Sequence, residues 1–313
     1  MSSISSTSEI GVRSLNALHR ELTVRQTPIF VISLARSQDR RTRIAARLQE
    51  LSLEFEFFDA VDGKDLSDYH HSLVDYSFAD FRKTYGRPLS NGEVGCALSH
   101  ALLYKKIVDE NIPHAVILED DALPNTEFAA LIKDRTLLTI PEIGLATFCY
   151  QPISVWRWSR LVLTPSIHAW RPMEHPWLTS CYYLTQALAA DLLGCALPVS
   201  RVADWPAQIH TWSSTYCVTP LLVETSMDPA ASTLHLERDL LWQDSDPPTE
   251  TMALVHWKTP LRILGRLVSL TMIPSLLWPD IFGTVDNTKR FASNSWKLLK
   301  ILLFGKNIKG FPV

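Results

Sequence analysis

Apolar runs of strand length alternate with longer amphipathic stretches through the first part of the chain. Residues 28–34 are apolar and rich in β-branched side chains, which predicts a buried strand. Residues 40–51 then carry isoleucine and leucine at helical spacing, and residues 55–58 predict a second strand. The order strand, helix, strand is typical of an α/β fold.

The same alternation continues further along the chain. Residues 91–108 predict a helix, and residues 115–118 predict a short buried strand. The later pattern is weaker and predicts strands at 145–150 and 180–184, followed by a helix at 186–195. Strands that alternate with helices form mainly parallel sheets with helices on their faces. We therefore predict an α/β fold around a mainly parallel central sheet.

Three consecutive carboxylates, Glu119, Asp120 and Asp121, follow the strand predicted at 115–118. Negative charge at a strand tip must be offset by a cation, a basic partner or water. Mg²⁺ and Mn²⁺ prefer hard oxygen ligands and share their coordination shell between protein carboxylates and substrate phosphates. The triplet therefore indicates a divalent metal that holds a diphosphate or, alternatively, a solvated acidic turn.

The first predicted strand is followed by an arginine-rich turn that contains Arg36 and Arg40. Ligands of open α/β sheets bind at the carboxyl ends of the strands. An arginine there can pair with two oxygens of a phosphate or lie flat against a base. The alternative is a solvated start of the following helix.

Charge is distributed unevenly over the 313 residues. The formal net charge is −3, yet residues 256–313 contain nine Lys and Arg against two Asp and Glu, so the preceding residues carry −10. Residues 1–27 are rich in Ser and Thr and lack the apolar core of a secretory signal. The apolar stretch 267–279 is shorter than the roughly 20 residues of a spanning helix. We divide the chain into a flexible leader (1–27), a main domain (28–255) and a basic, helical C-terminal tail (256–313).

The five cysteines show no CxxC or Cys/His spacing typical of a metal site. Their odd number also argues against a closed disulfide framework. A reducing cytoplasm is the simpler inference.

Four tryptophans are grouped between Cys149 and Cys181. We favour core packing over a sugar-binding platform for this group, because large aromatic rings dominate burial wherever they occur. The four are Trp156, Trp158, Trp170 and Trp177.

The main domain contains several motifs in a defined order. Four of them are Ile32-Ser33-Leu34 with Asp39-Arg40-Arg41, Phe57-Phe58-Asp59-Ala60-Val61-Asp62-Gly63, Glu93-Val94-Gly95-Cys96-Ala97-Leu98-Ser99-His100 and Ile117-Leu118-Glu119-Asp120-Asp121. Two more follow, Thr179-Ser180-Cys181-Tyr182-Tyr183-Leu184-Thr185 and Val202-Ala203-Asp204-Trp205. Together they resemble glycosyltransferase family 25, which contains bacterial lipooligosaccharide β-1,4-galactosyltransferases and related sugar transferases. The resemblance covers residues 28–234.

The chain departs from the family pattern at two positions. Leu178 stands where the family commonly has glycine, and Val202 stands where proline is usual. We therefore expect the acceptor side of the site to be shaped differently. The tail after His256 lies outside the resemblance.

The resemblance implies a GT-A-type nucleotide-sugar fold, a UDP-sugar donor and transfer with inversion at the anomeric carbon. It places Mn²⁺ or Mg²⁺ on Asp121, assisted by Glu119 or Asp120. Apart from the resemblance, His235 or His256 is a further candidate ligand that could complete the metal shell from beyond the main sheet. The metal would stabilise the departing diphosphate as a Lewis acid. The candidate donor-binding residues are Leu34, Arg36, Arg40, Asp59, Asp62, Ser99, Glu119 and Asp120.

Inverting transfer also needs a general base that accepts the proton of the acceptor hydroxyl, typically a carboxylate with a raised pKa. Asp204 is the first candidate and Glu174 the second. The alternatives are that Asp204 caps a helix before Trp205 and that Glu174 is a surface residue. We interpret His100 as a hydrogen-bonded core histidine rather than a base.

We predict a hexosyltransferase that moves galactose or glucose from a UDP-sugar to a lipopolysaccharide or lipooligosaccharide core sugar. The basic, tryptophan-containing tail suits the surface of anionic lipid, which places the protein on the cytoplasmic face of the membrane beside a lipid-linked acceptor. The alternative for the tail is helices packed on the domain. Nucleic acid is not an expected partner. The competing functions are a metal-dependent phosphohydrolase and a non-catalytic, membrane-associated nucleotide-sugar-binding protein.

Overall fold

The computed structural model describes residues 27–225, and a central sheet of eight strands runs through them. A separate pair of short strands, β4 and β10, lies beside it. The strands are β1 (Ile29–Ser33), β2 (Glu56–Asp59), β3 (His114–Glu119), β4 (Ala122–Pro124), β5 (Leu145–Thr147), β6 (Leu161–Val162), β7 (His168–Trp170), β8 (Cys181–Thr185), β9 (Thr215–Thr219) and β10 (Val223–Thr225).

The central sheet has the strand order β2-β1-β3-β8-β5-β9-β7-β6. Six of its eight strands run in one direction, while β8 and β7 run the opposite way. The predicted mainly parallel sheet is therefore confirmed, with two reversed strands that the apolar pattern does not reveal. Strands β2, β1 and β3 are all parallel, so their carboxyl ends meet at the same edge.

The helices flank this sheet, and the three long ones were predicted. The predicted helices at 40–51, 91–108 and 186–195 are confirmed with shifts of a residue or two at their ends. The predicted strand at 145–150 is shorter and ends at Thr147. The helices are α1 (Gln38–Glu50), α2 (Asp68–Ser72), α3 (Ala79–Tyr85), α4 (Asn91–Asp109), α5 (Thr126–Lys133) and α6 (Gln186–Ala196).

The central strand β1 is buried on both faces of the sheet. In β1, Ile29 and Val31 join one hydrophobic cluster, and Phe30 and Ile32 join another. Alternate side chains of a strand point to opposite faces, so a strand that is apolar at every position must be covered on both sides. The continuous apolar runs of the sequence therefore mark the central strands.

Helix α4 begins at a buried polar cap. The Ser90 hydroxyl accepts a hydrogen bond from the Glu93 backbone N–H at 3.1 Å, and the Glu93 carboxylate accepts one from the Ser90 N–H at 2.8 Å. Arg87 donates two further bonds to Glu93, at 2.7 and 2.9 Å. This reciprocal cap satisfies backbone donors that a helix start leaves open, and it fixes the start of α4.

The interpretation of the tryptophan group as core packing is wrong for three of its members. The side chains of Trp156, Trp158 and Trp177 are 37, 81 and 41% exposed, while Trp170 is partly buried. The segment around them forms only two- and three-residue strands at the end of the sheet. Composition does not predict this exposure, because the number of aromatic residues does not determine which of them pack against other side chains.

Two glycines let the loop after β2 lie directly on helix α4. A Cβ on Gly95 would lie 2.6 Å from both the Gly63 nitrogen and the Val61 carbonyl oxygen, and a Cβ on Gly63 would lie 1.7 Å from the Asn91 carbonyl oxygen. These separations involve backbone atoms, which cannot move aside as a flexible side chain can. The loop at 61–63 therefore depends on glycine at both positions.

We predict opposite effects of alanine at two helical glycines. Gly95→Ala should destabilise the protein by about 1–3 kcal/mol, because overpacking forces the backbone apart. Gly194→Ala is the control, since no atom of residues 27–225 lies within 4 Å of its added Cβ, and it should stabilise α6 by about 0.5–1 kcal/mol. Urea unfolding of the two variants measures both effects. Equal stability of the two variants would contradict the close approach of loop and helix.

Candidate active site

The carboxyl ends of β1 and β3, the loop after β2 and the start of α4 enclose a cleft of about 270 Å³. Most of the residues predicted for donor and metal binding line this cleft. They are Leu34, Arg36, Arg40, Asp62, Ser99, Glu119, Asp120 and Asp121. Residues far apart in the sequence therefore meet because three parallel strands end at one edge of the sheet.

Arg40 is the basic partner of the acidic turn. Its guanidinium lies 2.5 Å from the Asp120 carboxylate and 3.5 Å from that of Asp121. Ser33 donates a hydrogen bond to the other oxygen of Asp120 at 2.6 Å. The Asp120 side chain is only 9% exposed, so the alternative of a solvated carboxylate is wrong for Asp120.

Glu119 is tied to neighbouring strands and helices by polar contacts. Its Oε1 accepts a hydrogen bond from the Thr179 hydroxyl at 2.9 Å and lies 3.3 Å from His100 Nε2. Burial alone would raise the pKa of Glu119, but the hydrogen bond and charge of His100, with smaller effects of Thr179 and Arg40, hold the pKa below its usual value. Glu119 therefore remains a carboxylate at neutral pH.

Asp121 differs from its two neighbours because one of its oxygens lacks a partner among the described residues. Its Oδ1 is buried and accepts no hydrogen bond from residues 27–225, whereas Asp120 is bound by Arg40 and Ser33. Burial, with the charge of Glu119 as the next cause, raises the pKa of Asp121 to about 7. A buried carboxylate oxygen without a partner is costly unless a cation or donor reaches it. The residues present therefore fit Mg²⁺ or Mn²⁺ at Asp121, with Glu119 beside it.

Arg36 and Asp62 form an ion pair on the lining of the cleft. Their side chains are 2.6 Å apart, and the Lys64 backbone N–H donates to Asp62 at 3.1 Å. The hydrogen bond from Arg36 is the largest cause that lowers the pKa of Asp62. Asp62 is thus a charged acceptor that a ribose or base could reach.

Asp59 does not line the cleft, although it lies at the end of β2. Its carboxylate pairs with Arg41, which also donates to the Ser33 carbonyl at 2.8 Å. The Asp59 side chain is 72% exposed. Its predicted contact with the donor remains a prediction.

Ser99 holds the cleft wall together. Its hydroxyl donates to the Gly95 carbonyl at 2.6 Å and accepts from the Val61 N–H at 2.9 Å. The side chain is fully buried. Ser99 therefore positions the loop after β2 against α4.

His100 is buried and hydrogen-bonded, as the sequence analysis predicted. The residue is 2% exposed, and its Nδ1 lies 2.8 Å from the Tyr182 hydroxyl. Its other ring nitrogen faces Glu119. Its place beside the acidic turn was not predicted from the sequence, nor were those of Ser33, Cys96 and Thr179. All four residues belong to the matched motifs, and membership of a motif was the signal that could have found them.

The two candidate bases, Asp204 and Glu174, do not line the cleft. The helix-cap alternative for Asp204 is wrong, because Asp204 lies in a bend and the next helical turn begins at Ile209. The Asp204 backbone oxygen accepts a hydrogen bond from His175 at 3.2 Å. The candidate metal ligand His235 lies outside the described residues.

Trp205 connects the Asp204 segment to the strand beside Glu119. Its indole N–H donates to the Pro176 carbonyl at 2.6 Å, and its ring packs edge-on against Tyr182 at 4.9 Å between centroids. Tyr182 in turn contacts His100. A chain of contacts therefore joins the predicted base segment to the acidic turn.

Leu178 has a backbone conformation that favours glycine. Its φ is 85°, in a region that side chains with a Cβ rarely adopt. The side chain packs against the main hydrophobic cluster, and the next residue, Thr179, bonds Glu119. The position where the family commonly has glycine is therefore one where glycine would remove strain.

We predict that the usual order of alanine and glycine is reversed at Leu178. Both truncations lose the same packing, but only glycine removes the strain, so Leu178→Gly should be more stable than Leu178→Ala by about 1–2 kcal/mol. Leu193, partly buried in α6, is the control, where alanine should be more stable than glycine by about 0.5–1 kcal/mol. Urea unfolding of the four variants measures the order of stability at each position. The same order at both positions would refute the strained conformation.

Comparisons with known proteins identify the family. The family model "Glycosyltransferase family 25 (LPS biosynthesis protein)" matches residues 26–204. Procollagen galactosyltransferase 1-B of Xenopus laevis is 26% identical over 288 residues, which are 84% of this chain and 45% of that protein. Procollagen galactosyltransferase 2 of Homo sapiens is 31% identical over 131 residues, 41% of this chain and 20% of that protein. Inactive glycosyltransferase 25 family member 3 of Mus musculus is 37% identical over 98 residues, 30% of this chain and 16% of that protein.

The chain spans less than half the length of these relatives. Among solved structures, a glycosyltransferase involved in the glycosylation of the major capsid of PBCV-1 has a TM-score of 0.29 and 10% identity, over 54% of this chain and 65% of that one. That similarity is too low to support an argument. The family model, in contrast, covers more than half of the chain and includes both the acidic turn and the arginine turn. The chain belongs to glycosyltransferase family 25.

Proposed function

We propose that this protein transfers a hexose, galactose or glucose, from a UDP-sugar to a hydroxyl group of a glycan acceptor, with inversion at the anomeric carbon. The observation that carries the proposal is the buried carboxylate oxygen of Asp121, which has no partner within the described part of the chain and lies next to Arg40 in a cleft at the carboxyl ends of parallel strands. Membership of a glycosyltransferase family supports the reaction class. The relatives named galactosyltransferases favour galactose.

The donor occupies the cleft in this proposal. Arg36, Arg40 and Lys64 line it together with carboxylates, which gives cations for a diphosphate and acceptors for the hydroxyls of a sugar or ribose. Arg40 is held by Asp120, so its guanidinium is already oriented before the donor arrives. A nucleotide-sugar site of the GT-A type, at the end of β3, would have this arrangement.

Asp121 and Glu119 would hold the Mg²⁺ or Mn²⁺ ion. The ion would supply Lewis-acid stabilisation of the charge that develops on the departing diphosphate. Asp120 is engaged with Arg40 and Ser33 and orients the arginine. We therefore propose that Asp121 is the main metal ligand and that Asp120 positions Arg40.

Asp204 remains the first candidate for the general base and Glu174 the second. A carboxylate that accepts the proton of the attacking hydroxyl has to lie on the acceptor side, opposite the departing diphosphate. The packing of Trp205 on Tyr182 ties the Asp204 segment to the strand beside Glu119. In this proposal the strained residue Leu178, whose neighbour Thr179 bonds Glu119, belongs to the same side of the site.

The acceptor is a core sugar of a lipopolysaccharide or lipooligosaccharide in this proposal. The description of the family names LPS biosynthesis. Two relatives are instead named procollagen galactosyltransferases. A panel that contains both a core oligosaccharide and a collagen peptide therefore separates the two acceptor classes.

The non-catalytic alternative is favoured by one observation, the relative named as inactive. Binding of UDP without transfer or donor hydrolysis would support it. The phosphohydrolase alternative has less support, because the matched family is one of transferases.

The decisive assay is transfer from UDP-hexoses in the presence and absence of Mn²⁺. We predict metal-dependent transfer by the wild type and a loss of about 100-fold or more in Asp121→Asn, because removing charge stabilisation of a developing anion costs this much or more. Asp109→Asn, an exposed carboxylate at the end of α4, is the control and should keep its activity. Full activity in a chelator, or in the Asp121 variant, would remove the metal from the mechanism.

Asp204→Asn should separate binding from chemistry. Removal of a general base costs about two to four orders of magnitude in rate, so transfer should fall that far while the affinity for UDP stays unchanged. Turnover and UDP calorimetry on the same preparation measure the two quantities. Lost UDP affinity with normal turnover would place Asp204 on the donor side and leave Glu174 as the base.

The tail is proposed to hold the protein on anionic lipid at the cytoplasmic face of the membrane. Among residues 27–225, no helix is both long and apolar enough to cross a bilayer, and the tail itself lies outside the described residues. Basic residues near an anionic surface contribute about 1 kcal/mol each. Replacing Lys289, Arg290, Lys297 and Lys300 with glutamine should release the protein from phosphatidylserine vesicles in a sedimentation assay. Binding that survives both the substitutions and high salt would refute the electrostatic contact.

A further inference from the structure

We propose a second metal site at the side of the cleft, in which Cys96, His100 and Glu119 bind Zn²⁺. It differs from the expected site at Asp121 in its ligands and in the ion it selects. The Cys96 sulfur, a ring nitrogen of His100 and a carboxylate oxygen of Glu119 all lie within 4.8 Å of one another. The ligands of a tetrahedral zinc site lie ~3.3–3.8 Å apart, given its bond lengths. Small side-chain rotations would therefore complete the site.

The backbone brings these three ligands together without strain. Cys96 and His100 are four residues apart in α4, so they lie on the same face of the helix, one turn apart. This Cys/His spacing was not recognised as that of a metal site from the sequence. Glu119 is the last residue of β3. A helix face and a strand end thus supply a preorganised set of ligands.

Neighbouring side chains orient the ligands as metal sites require. His100 Nδ1 lies 2.8 Å from the Tyr182 hydroxyl, which leaves Nε2 directed at Glu119. The Thr179 hydroxyl donates to the Glu119 carboxylate at 2.9 Å. Metal-binding histidines almost always have such a partner on the second nitrogen, and its removal typically weakens binding by about 10–100-fold.

The site is accessible and keeps an open coordination position. Cys96 and Glu119 both line the cleft, so an ion can enter from there. Three protein ligands with a fourth position for water are the arrangement of zinc sites that exchange a ligand. The fourth position would be taken by water from the cleft.

The chemistry of the ligands selects the ion. A thiolate with an imidazole and a carboxylate suits Zn²⁺ or Co²⁺, whereas Mg²⁺ and Mn²⁺ prefer oxygen ligands. Binding deprotonates the Cys96 thiol, and the proton passes to solvent with no change in oxidation state. Because both sites use Glu119, bound Zn²⁺ would draw this carboxylate away from the ion at Asp121.

Cobalt titration of the full-length, metal-free protein tests the site directly. Co²⁺ bound to a thiolate gives a strong ligand-to-metal charge-transfer band in the near ultraviolet, and added Zn²⁺ should displace it. The chain has five cysteines, and none of them is in a disulfide. Cys149, Cys181 and Cys217 are buried, and burial raises the pKa of each thiol. Cys195, which is exposed, is therefore the matched control.

Cys96→Ser should abolish the charge-transfer band, while Cys195→Ser should retain it. Tyr182→Phe keeps all three ligands and should weaken Co²⁺ binding about 10-fold or more. Thermal unfolding of each variant shows whether it is folded. Absence of a band in the folded wild type would overturn the proposal, as would a band that survives Cys96→Ser. The readout uses neither donor nor acceptor, so the proposed transfer reaction can succeed or fail independently of it.

Discussion

Three carboxylates occupy one tight turn at the end of a buried strand, and the ion pair between Arg40 and Asp120 makes that arrangement tolerable. The carboxylates differ in their partners. Arg40 and Ser33 bind Asp120, while His100 and Thr179 contact Glu119. One oxygen of Asp121 has no partner in the region that the structure describes, although Arg40 lies 3.5 Å from the other oxygen, and burial raises the pKa of this residue. The turn thus contains one carboxylate oxygen whose charge is not matched by a donor or cation among these residues. A cation that arrives with a diphosphate would relieve it.

The surrounding scaffold keeps this charge distribution in place. The cap of α4 depends on Glu93, which is 2% exposed and bound by Arg87. Close contact between Gly63 and Gly95 holds the loop after β2 against the same helix, and Ser99 bonds across that contact. Helix α4 therefore fixes one wall of the cleft and also supplies His100 behind Glu119. The motif from Glu93 to His100 acts as one structural unit, which explains why its residues stand close together in the sequence.

Much of this could be predicted from the sequence, because the central strands are apolar at every position and the acidic turn directly follows one of them. The burial of β1 on both faces and the long helices follow from such local signals, whereas the ion pair of Arg40 with Asp120 was not predicted. The reversed direction of β8 and β7 could not be predicted, since strand direction depends on pairing between distant segments. The short helices α2 and α3 and the exposure of Trp158 were not predicted either, because they too depend on contacts with distant segments. For Asp204, a capping residue type before Trp205 suggested a helix start, but Trp205 has a φ of 62° and no helix begins there.

Titration of the metal-free protein with Mn²⁺ alone, at several pH values, shows whether Asp121 is the open ligand of the metal site. Metal binding requires deprotonated carboxylates, and Asp121 has a pKa raised to about 7. We expect the affinity of the wild type for Mn²⁺ to fall as the pH drops below about 7, by up to about tenfold for each pH unit because one proton must be displaced. Asp121→Asn should bind Mn²⁺ weakly across the whole range. A variant that binds as tightly as the wild type, or a wild-type affinity that does not change between pH values on either side of 7, would contradict the assignment of Asp121 as the open ligand.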